Sequence, residues 1–478
     1  MTMTRRDVLL AFAALAAGAE SGAARAASLP READVVVIGA GAAGLAAARR
    51  IQAGNRKVIV IEAADRIGGR CHTDLKTFDT PFDRGARWLF EPDTNPVARL
   101  ARGAGTAMVP ASPGQRIRIG RRNARAGETE QFLATLVRAR RAIADAARGR
   151  TDLSCAAAMP HDLDVWAETI DFVLGAGATG KDLKDLSAMA RARAPQRHAA
   201  IGCKQGLGRL LTALAQGLPI SLSTPASRVT WAGRDIGVET SAGRIAARAI
   251  IVTVSTNVLT SDNIRFTPEL PKRQLDAAAR LSLGSYDRIA LWLPDNPFGL
   301  GPGETMIEQS SDGRTALLTA GAAGSSLCTI DIAGSFGRDL SAQGEAAMVA
   351  FAKEWLTKLF GSDAAAGVQQ SAATRWNAAA HVLGAMSAAE VGGQPSRKIL
   401  VEPLGNLFFA GEATHETLWG SVDGAWESGE RAADAALRKI GGLKEPEQPS
   451  AATRKPSRHH RRSPSRHPQD AFGFPLPR

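Results

Sequence analysis

The sequence has few of the residues that build disulfide, zinc or dithiol sites. Its four cysteines, Cys71, Cys155, Cys203 and Cys328, lie far apart and form no CxxC pair. Neither a zinc-binding motif nor a dithiol redox motif is therefore predicted, and we expect neither a metal site nor an essential disulfide. After the first 27 residues, no apolar run approaches the roughly 20 residues that cross a bilayer as a helix. The mature protein is expected to be soluble, without a membrane span.

Acidic residues are too few to balance the basic ones, and the net charge is +12. Residues 444–478 contain eight Lys or Arg against three acids, so much of the excess lies in the last 35 residues. This segment is rich in Pro, Ser, Arg and His and predicts a disordered basic tail. Binding of the tail to an anionic envelope surface is an alternative. We attribute its His459-His460 pair to the biased composition of the tail rather than to a metal site. No nucleic-acid partner is predicted.

The N-terminus has the layout of an export signal. Arg5-Arg6 precedes a short apolar run, and Ala24-Arg25-Ala26 supplies a small-residue exit. The paired arginines resemble a twin-arginine signal, which bacteria use for proteins exported in the folded state. Residues 1–27 are therefore predicted to direct the protein to the periplasm with a cofactor already bound; a chance arginine pair is the alternative.

A dinucleotide-binding pattern follows the signal. In "DVVVIGAGAAGLAAARRIQAGNRKVIVIEA", an apolar strand enters a glycine-rich turn, a helix follows, and a second strand ends at Glu62. Gly39 would make the tight turn, Gly41 would let pyrophosphate approach, and Gly44 would let helix and strand pack closely. Glu62 is placed to accept ribose hydroxyls. The residues assigned to the cofactor here are Gly39, Gly41, Ala43, Gly44, Glu62 and Ala63.

The next two segments resemble the flavin amine oxidases. "AADRIGGRCHTD" is similar to their GG motif, and the resemblance implies that Gly69 lies against the pyrophosphate while Arg70 adds a charge-assisted contact. "FDRGARWL" resembles a segment that passes beside the flavin ring, which would bring Arg87 and Trp88 to the cofactor. The cofactor implied is FAD.

Two later segments continue the resemblance, which covers residues 33–437. In "GCKQGLGRLLTALAQGLPISLSTPASRVTWAG", backbone at Val229 would meet adenine. In "NLFFAGEATHETLWGSVDGAWESGERAADAAL", Gly411 and Glu412 would reach the ribityl chain. The helix starting near Val422 would aim its partial positive charge at the flavin and stabilise the reduced anion.

The fold class predicted is α/β, with a Rossmann-like FAD-binding domain and an α+β substrate domain of the amine oxidase type. The FAD-binding domain is expected to be discontinuous, comprising residues 33–99, 202–259 and 397–437. Residues 100–201 and 260–396 would form the substrate domain. In the second insertion, "RIALWLPDNPF" and "LCTIDIAG" read as strands and "GEAAMVAFAKEWLTKLFG" reads as a helix.

The resemblance implies oxidation of an amine by hydride transfer to the flavin, hydrolysis of the imine and reduction of O2 to H2O2. Where covalent members carry cysteine this chain has Ala385, so FAD is expected to bind without a covalent link. Arg288 takes the place of a family lysine that approaches flavin N5 and promotes reaction with O2. Either Arg288 keeps a positive charge there, or it pairs with an acid of the substrate domain.

The residues expected around the substrate depart from the family. Trp376 matches a family tryptophan near the flavin, but Met386 and Ser421 stand where a tyrosine pair is usual. Trp419 could replace part of the aromatic wall that the tyrosine pair forms around the substrate, or it could simply pack in the core. Arg87 could grip a substrate carboxylate, contact the flavin, or pair with an acid.

Four functions are compatible with these residues. The first is an exported oxidase of a small primary or secondary amine. The others are an L-amino-acid oxidase or tryptophan 2-monooxygenase, a dehydrogenase with an envelope electron acceptor, and a flavin-binding protein without turnover. The oligomeric state is left open.

Overall fold

The computed structural model describes residues 29–443 except 113, 196, 198 and 295. The predicted signal peptide, 1–27, and the predicted basic tail, 444–478, lie outside the described residues. The strands are β1 (Glu32–Ile38), β2 (Val58–Ile61), β3 (Thr73–Asp74), β4 (Phe82–Asp83), β5 (Leu89–Phe90), β6 (Met108–Pro110), β7 (Gln115–Ile119), β8 (Arg122–Asn123), β9 (Ala200–Cys203), β10 (Ile220–Ser221), β11 (Ala226–Thr230), β12 (Gly237–Thr240), β13 (Gly243–Val252), β14 (Arg265–Thr267), β15 (Tyr286–Trp292), β16 (Thr305–Glu308), β17 (Leu317–Thr319), β18 (Leu327–Ala333), β19 (Gln370–Ala373) and β20 (Leu407–Phe409).

The helices are α1 (Ala42–Ala53), α2 (Pro96–Gly103), α3 (Ala126–Ala146), α4 (Ala167–Leu174), α5 (Ala176–Thr179), α6 (Ala188–Arg193), α7 (Leu207–Leu214), α8 (Thr256–Leu259), α9 (Lys272–Ala279), α10 (Gly334–Ala342), α11 (Glu345–Phe360), α12 (Ser362–Ala366), α13 (Ser396–Val401) and α14 (Val422–Lys439). Single 3₁₀ turns occur at Asp164–Trp166, Leu183–Asp185, Ala322–Gly324, Trp376–Ala378 and Glu412–Thr414. Within the described residues, no helix is long and apolar enough to cross a membrane.

The first sheet is built around the strand that enters the glycine-rich turn. Its order is β10-β2-β1-β13-β12-β11-β14, with β20 paired to β13. β1, β2, β13 and β20 pair in parallel, and β2 is buried along its whole length. Such continuous apolar strands are typical of a parallel sheet covered on both faces. Here α1 and α14 cover one face, while α9 and α13 lie on the other. The predicted Rossmann-like architecture is confirmed.

The second sheet, of order β19-β15-β18-β17-β16-β7-β8, presents different residues on its two faces. Ile289 and Ile330 belong to an apolar cluster that packs on α11 through Trp355. Because side chains alternate along a strand, Arg288 and its cross-strand neighbour Asp331 lie on the opposite face. The strands and the helix predicted in this part of the chain are confirmed, and their alternation produces one apolar and one polar face.

One predicted domain boundary is wrong. β14 pairs in parallel with β11 and so belongs to the first sheet, although residues 260–396 were assigned to the substrate domain. The strand has only three residues, two of them exposed, and therefore carries no apolar run that marks it in the sequence. The remaining boundaries stay predictions.

Candidate functional site

The glycine-rich turn between β1 and α1 uses each glycine differently. Gly39 has φ +106°, and a Cβ at Gly44 would lie 1.8 Å from the Gly39 carbonyl oxygen. Neither position accepts a side chain. A Cβ at Gly41, by contrast, would meet nothing within 4 Å. Gly41 therefore borders open space at the start of α1, where backbone amides and the helix dipole favour a phosphate.

Glu62, at the end of β2, holds this turn in place. Its Oε2 accepts a hydrogen bond from the Ala40 amide at 2.7 Å, and its Oε1 accepts one from the Ala64 amide at 2.8 Å. Ala63 is the residue between Glu62 and Ala64 in the chain. Since each carboxylate oxygen can accept two hydrogen bonds, Glu62 keeps capacity for a ribose hydroxyl.

Ala43 lies where the first and last helices of this region meet. A Cβ at Gly429 of α14 would lie 2.0 Å from the Ala43 carbonyl oxygen. The two helices therefore touch backbone to backbone, which fixes α14 relative to the glycine-rich turn. Val422, the first residue of α14, is buried as well.

Arg70 and Glu412, both assigned to the cofactor, are in direct contact. Arg70 Nη1 donates to Glu412 Oε1 at 2.7 Å and to the Ala385 carbonyl at 2.8 Å. Glu412 also accepts from the Ser387 amide at 3.0 Å, the Ser387 hydroxyl at 2.7 Å and the Gly420 amide at 2.7 Å. We call this set of contacts the Glu412 hub. It joins three distant segments of the chain.

The Glu412 hub gives this glutamate a structural role. A carboxylate accepts about four hydrogen bonds, and Glu412 accepts four from the protein. Burial raises its pKa, but the Arg70 charge and the Ser387 hydroxyl outweigh burial and hold the pKa below its usual value. Glu412 is therefore an ionised anchor of the surrounding loops, and its contact with the ribityl chain stays a prediction.

Arg397, which sequence reasoning missed, lies behind the hub. It is 2% exposed, and its Nη1 donates to the Ser387 hydroxyl at 3.2 Å and to the Ala413 carbonyl at 2.7 Å. Its guanidinium lies 5.0 Å from the centre of the Trp419 ring. Burial lowers the pKa of Arg397 to about 10. No motif in "QPSRKIL" distinguishes this arginine from a surface residue.

A cavity opens at the carboxyl ends of β13 and β20, the edge at which open α/β sheets bind ligands. Its lining includes Arg70, Val254, Ser255, Gly411 and Glu412. Arg70 is about one-quarter exposed, and its Nε and Nη2 make no protein hydrogen bond among the described residues. The open space at Gly41, the free donors of Arg70 and this cavity together fit a cofactor that carries a pyrophosphate.

Arg288 is held mainly by an ion pair. Its Nε and Nη2 donate to the two carboxylate oxygens of Asp331 at 2.8 and 3.2 Å. Its Nη1 donates to the carbonyls of Asp83 and Gly85 at 2.6 and 3.1 Å. The ion pair is the alternative that the sequence offered, with an acid of the predicted substrate domain. These four bonds leave one of the five N–H donors of the guanidinium, on Nη2, and a catalytic role for Arg288 stays a prediction.

Arg87 also reaches the polar face of the second sheet. Its Nη2 donates to Thr319 Oγ1 at 2.9 Å and lies 3.9 Å from an oxygen of Asp331, and its Nη1 donates to Thr329 Oγ1 at 3.3 Å. Contact with an acid is confirmed, whereas a carboxylate clamp stays a prediction. The guanidinium lies 5.1 Å from the centre of the Trp88 ring.

Trp376 packs on the same segment. Its Nε1 donates to the Arg84 carbonyl at 3.1 Å, and a Cβ at Gly85 would lie 3.0 Å from its ring. The structure therefore brings Arg87, Trp88, Arg288 and Trp376 together around residues 83–88, the segment that the resemblance places beside the flavin.

The two positions that replace the tyrosine pair are close to each other. A Cβ at Gly420 would lie 3.6 Å from Met386. The Ser421 hydroxyl caps α14 by accepting from the Gly424 amide at 3.1 Å and donates to the Leu418 carbonyl at 2.6 Å. Ser421 is thus a helix N-cap, which a serine just before a helix start could have indicated. Its contact with substrate stays a prediction. Met386 is half-buried beside it.

Two further residues singled out in the sequence, Trp419 and Val229, are both buried. Trp419 is buried in an apolar cluster with Trp166 and Ala388, which confirms the packing interpretation. Val229 is fully buried and paired with Val238 on one side and Phe266 on the other. Its strand therefore lies inside the sheet, between β12 and the unpredicted β14, and contact between its backbone and adenine stays a prediction.

His72, next to the GG motif, gives a pH-dependent prediction for the cofactor-free protein. Burial and the charges of Arg66 and Arg84 lower the pKa of His72 to about 4. The unfolded chain, with a histidine pKa of about 6.5, binds the proton more readily than the folded one. The stability contribution is therefore complete above about pH 6.5 and declines as the pH falls towards 4.

Urea unfolding at pH 7 and pH 5 measures this effect. Wild type should lose stability between the two values, and His72→Gln should lose less. His161→Gln, at an exposed position, serves as the control. An unchanged pH dependence in His72→Gln would show that His72 does not contribute.

Comparison with known proteins agrees with the assignment of this region to a flavin cofactor. A family model described as flavin containing amine oxidoreductase matches residues 42–119 and 115–437. Probable polyamine oxidase 4 of Arabidopsis thaliana is 28% identical over 442 residues, covering 85% of this chain and 87% of that protein. Human lysine-specific histone demethylase 2 is 26% identical over 453 residues, covering 84% of this chain and 53% of that protein.

Solved structures show the same fold. Cyclohexylamine oxidase from Brevibacterium oxydans IH-35A superposes with a TM-score of 0.72 at 20% identity, over 86% of this chain and 100% of that one. Wild-type putrescine oxidase bound to putrescine superposes with a TM-score of 0.72 at 19% identity, over 86% of this chain and 99% of that one. With the family model spanning most of its length, the chain belongs to the flavin containing amine oxidoreductases and is an FAD-dependent oxidoreductase.

Proposed function

We propose that this protein oxidises a small primary or secondary amine, with hydrolysis of the resulting imine and reduction of O2 to H2O2. The observation that carries the proposal is the Glu412 hub, which ties the cofactor residue Arg70 to the loops that carry Met386 and Ser421. One anchor therefore holds both the cofactor side and the substrate side of the site. FAD, when bound, supplies the two-electron acceptor for the carbon–nitrogen bond.

The chain's own residues orient the substrate and shape the cavity. No general base is required when the neutral substrate nitrogen assists, and we assign none. Met386 replaces one aromatic ring and Ser421 is occupied as a helix cap, so the wall is less aromatic than the resemblance implies. We infer that the preferred amine differs from the polyamines and putrescine named for the relatives.

The mode of FAD binding follows from residue 385. Ala385 has no thiol to form a covalent link, and its carbonyl accepts from Arg70. We propose that FAD is bound non-covalently through the glycine-rich turn, Glu62 and Arg70. Acid precipitation should release all of the flavin into the supernatant.

The electron acceptor is a separate question. We infer that Arg288 assists O2 less readily than a mobile lysine, because Asp331 and two backbone carbonyls hold its guanidinium. We therefore keep an envelope electron acceptor as an alternative to O2.

Product analysis tests the reaction. Incubation with pentylamine should yield aldehyde, ammonia and H2O2 in equal amounts if O2 is the acceptor. Aldehyde formed only with an added dye acceptor would establish a dehydrogenase. Absence of aldehyde from every amine tried would contradict amine oxidation.

A second candidate is oxidation or oxidative decarboxylation of an amino acid, as in L-amino-acid oxidases or tryptophan 2-monooxygenases. It is favoured by Arg87, whose buried Nε has no hydrogen-bond partner among the residues that the structure describes. An Arg87→Met variant that loses activity on amino acids while keeping activity on the matching amines would support this candidate.

Export to the periplasm by the twin-arginine route is also a proposal. Changing Arg5-Arg6 to Lys-Lys should leave the FAD-loaded protein in the cytoplasm, because the paired arginines are the recognised feature. Cell fractionation of both forms, with a cytoplasmic and a periplasmic marker, measures it. Unaltered export would show that the pair is not a signal.

A further inference from the structure

Three successive carbonyls accept hydrogen bonds from side chains that lie far away in the chain. Arg288 Nη1 donates to the carbonyls of Asp83 and Gly85 at 2.6 and 3.1 Å. Trp376 Nε1 donates to the Arg84 carbonyl between them at 3.1 Å. The conformation of residues 83–85 is therefore set by contacts from outside the segment.

Asp331 holds the first of these donors. It is 1% exposed and accepts from Arg288 at 2.8 and 3.2 Å and from the Tyr286 hydroxyl at 2.9 Å. Arg87 lies 3.9 Å from the same carboxylate. Burial raises the pKa of Asp331, but the charges of Arg288 and Arg87 outweigh it and hold the pKa below its usual value. One carboxylate thus balances two arginines.

Asp287 holds the second donor. It is fully buried, and its Oδ1 accepts from the Trp376 amide at 2.8 Å and from the Thr374 hydroxyl at 2.9 Å. No salt bridge to Asp287 occurs among the described residues. Asp287 and Arg288 are neighbours on β15 and point to opposite faces. These two consecutive residues therefore supply both the direct contact of Arg288 with residues 83–85 and the contact that holds Trp376.

The clamped segment has no spare room. A Cβ at Gly85 would lie 1.9 Å from the Arg70 carbonyl oxygen and 3.0 Å from the Trp376 ring. The Arg84 amide donates to the His72 carbonyl at 2.8 Å and the Ala86 amide donates to the Arg70 carbonyl at 3.1 Å. The three carbonyls of residues 83–85 and the amides of Arg84 and Ala86 are therefore engaged, and a small displacement on either side is transmitted to this backbone.

We propose that Asp331 and Asp287 are positioning residues of the flavin site, which act through Arg288 and Trp376 on the backbone of residues 83–85. The proposal rests on the proposed function in one respect, namely that this backbone lies beside the flavin. The two aspartates differ in charge balance, since only Asp331 neutralises arginines. Their substitution therefore has different consequences, which separates positioning from general destabilisation.

Hydrogen exchange in the cofactor-free protein tests the clamp without any activity. Asp331→Asn and Asp287→Ala should each accelerate exchange at the Arg84 and Ala86 amides by roughly tenfold or more, because local opening becomes easier. Asp287→Asn keeps the accepting oxygen and should exchange like wild type. Unchanged exchange in both Asp331→Asn and Asp287→Ala would overturn the proposal.

Asp152→Asn is the matched control. Asp152 also accepts three hydrogen bonds, from the Ser187 hydroxyl and the Met189 and Gly392 amides, but does not contact residues 82–88. Its replacement should leave exchange in that segment unchanged. Should Asp331→Asn not accumulate as folded protein, the double variant Asp331→Asn/Arg288→Met removes both charges together. The same acceleration is expected of it, and wild-type exchange would count against the clamp.

The FAD-loaded protein gives a second readout, reduction by dithionite against a dye of known potential. Asp331→Asn removes the carboxylate that pairs with Arg288 and Arg87, and the resulting gain in positive charge favours the reduced anionic flavin. Its midpoint potential should rise above that of wild type. Asp287→Ala should change the visible circular dichroism of the flavin without this rise.

A potential in Asp331→Asn equal to that of Asp152→Asn would overturn the positioning role. Because dithionite replaces the substrate, this test stands even if no amine reduces the flavin, an outcome that would contradict only the proposed function. If no FAD is retained, the exchange experiment decides.

Discussion

Gly41→Val should abolish FAD binding while leaving the protein folded. The residue has φ −77°, which any amino acid adopts, and its missing Cβ faces open space. A valine there fills the space that a pyrophosphate requires at the start of α1. An overlap costing about 3 kcal/mol lowers affinity about 100-fold. The visible absorbance of the purified variant and its thermal unfolding measure the two properties.

Two other glycines make the comparison specific. Gly103→Val, at an exposed helix end with nothing within 4 Å of its Cβ, should retain FAD. Gly44→Ala should fail to fold, because its Cβ would lie 1.8 Å from the Gly39 carbonyl oxygen. A yellow, fully loaded Gly41→Val protein would refute the assignment of this turn to the cofactor.

Glu412→Ala is expected to be the most damaging single substitution in the site that leaves the backbone unaltered. It removes the acceptor of four hydrogen bonds and leaves Arg70 without its acid. Breaking a buried ion pair from one side costs about 3–5 kcal/mol. Urea unfolding of the cofactor-free variant should show a loss of this size, and FAD retention should fall with it.

Glu402→Ala provides the control. Glu402 also pairs with an arginine, Arg273, but both side chains are about half exposed. Such surface pairs contribute less than about 1 kcal/mol. If Glu412→Ala were as stable as Glu402→Ala, the hub would not be the anchor described here.

Local patterns were sufficient to predict the Rossmann-like βαβ unit, whereas the rest of the fold was implied by the family resemblance. The continuous apolar runs of β1 and β2, the spacing of Gly39, Gly41 and Gly44, and the acid at Glu62 all act between neighbours within one βαβ unit. Such short-range requirements are written in consecutive residues, and the structure places each of these residues as its spacing implies.

The errors concern pairing between distant strands. Asp331 lies opposite Arg288 only because of the register between β15 and β18, which the two strand patterns do not specify. β14, which joins the first sheet beside the strand that carries Val229, has only three residues and is too short to predict from its sequence. Arg397 could not be distinguished from a surface arginine, since its burial depends on segments that precede and follow it in the fold. Ser421, however, precedes a helix start and could have been predicted as its cap.

The central claim is that this chain binds FAD and uses it to oxidise an amine. The most direct test is anaerobic mixing of the purified protein with pentylamine, cyclohexylamine, putrescine and a series of amino acids, while the visible absorbance of the flavin is recorded. We expect at least one amine to bleach the flavin, and the absorbance to return on admission of air or of a dye acceptor. If dithionite bleaches the flavin but no amine or amino acid does, the claim that this protein oxidises an amine is contradicted.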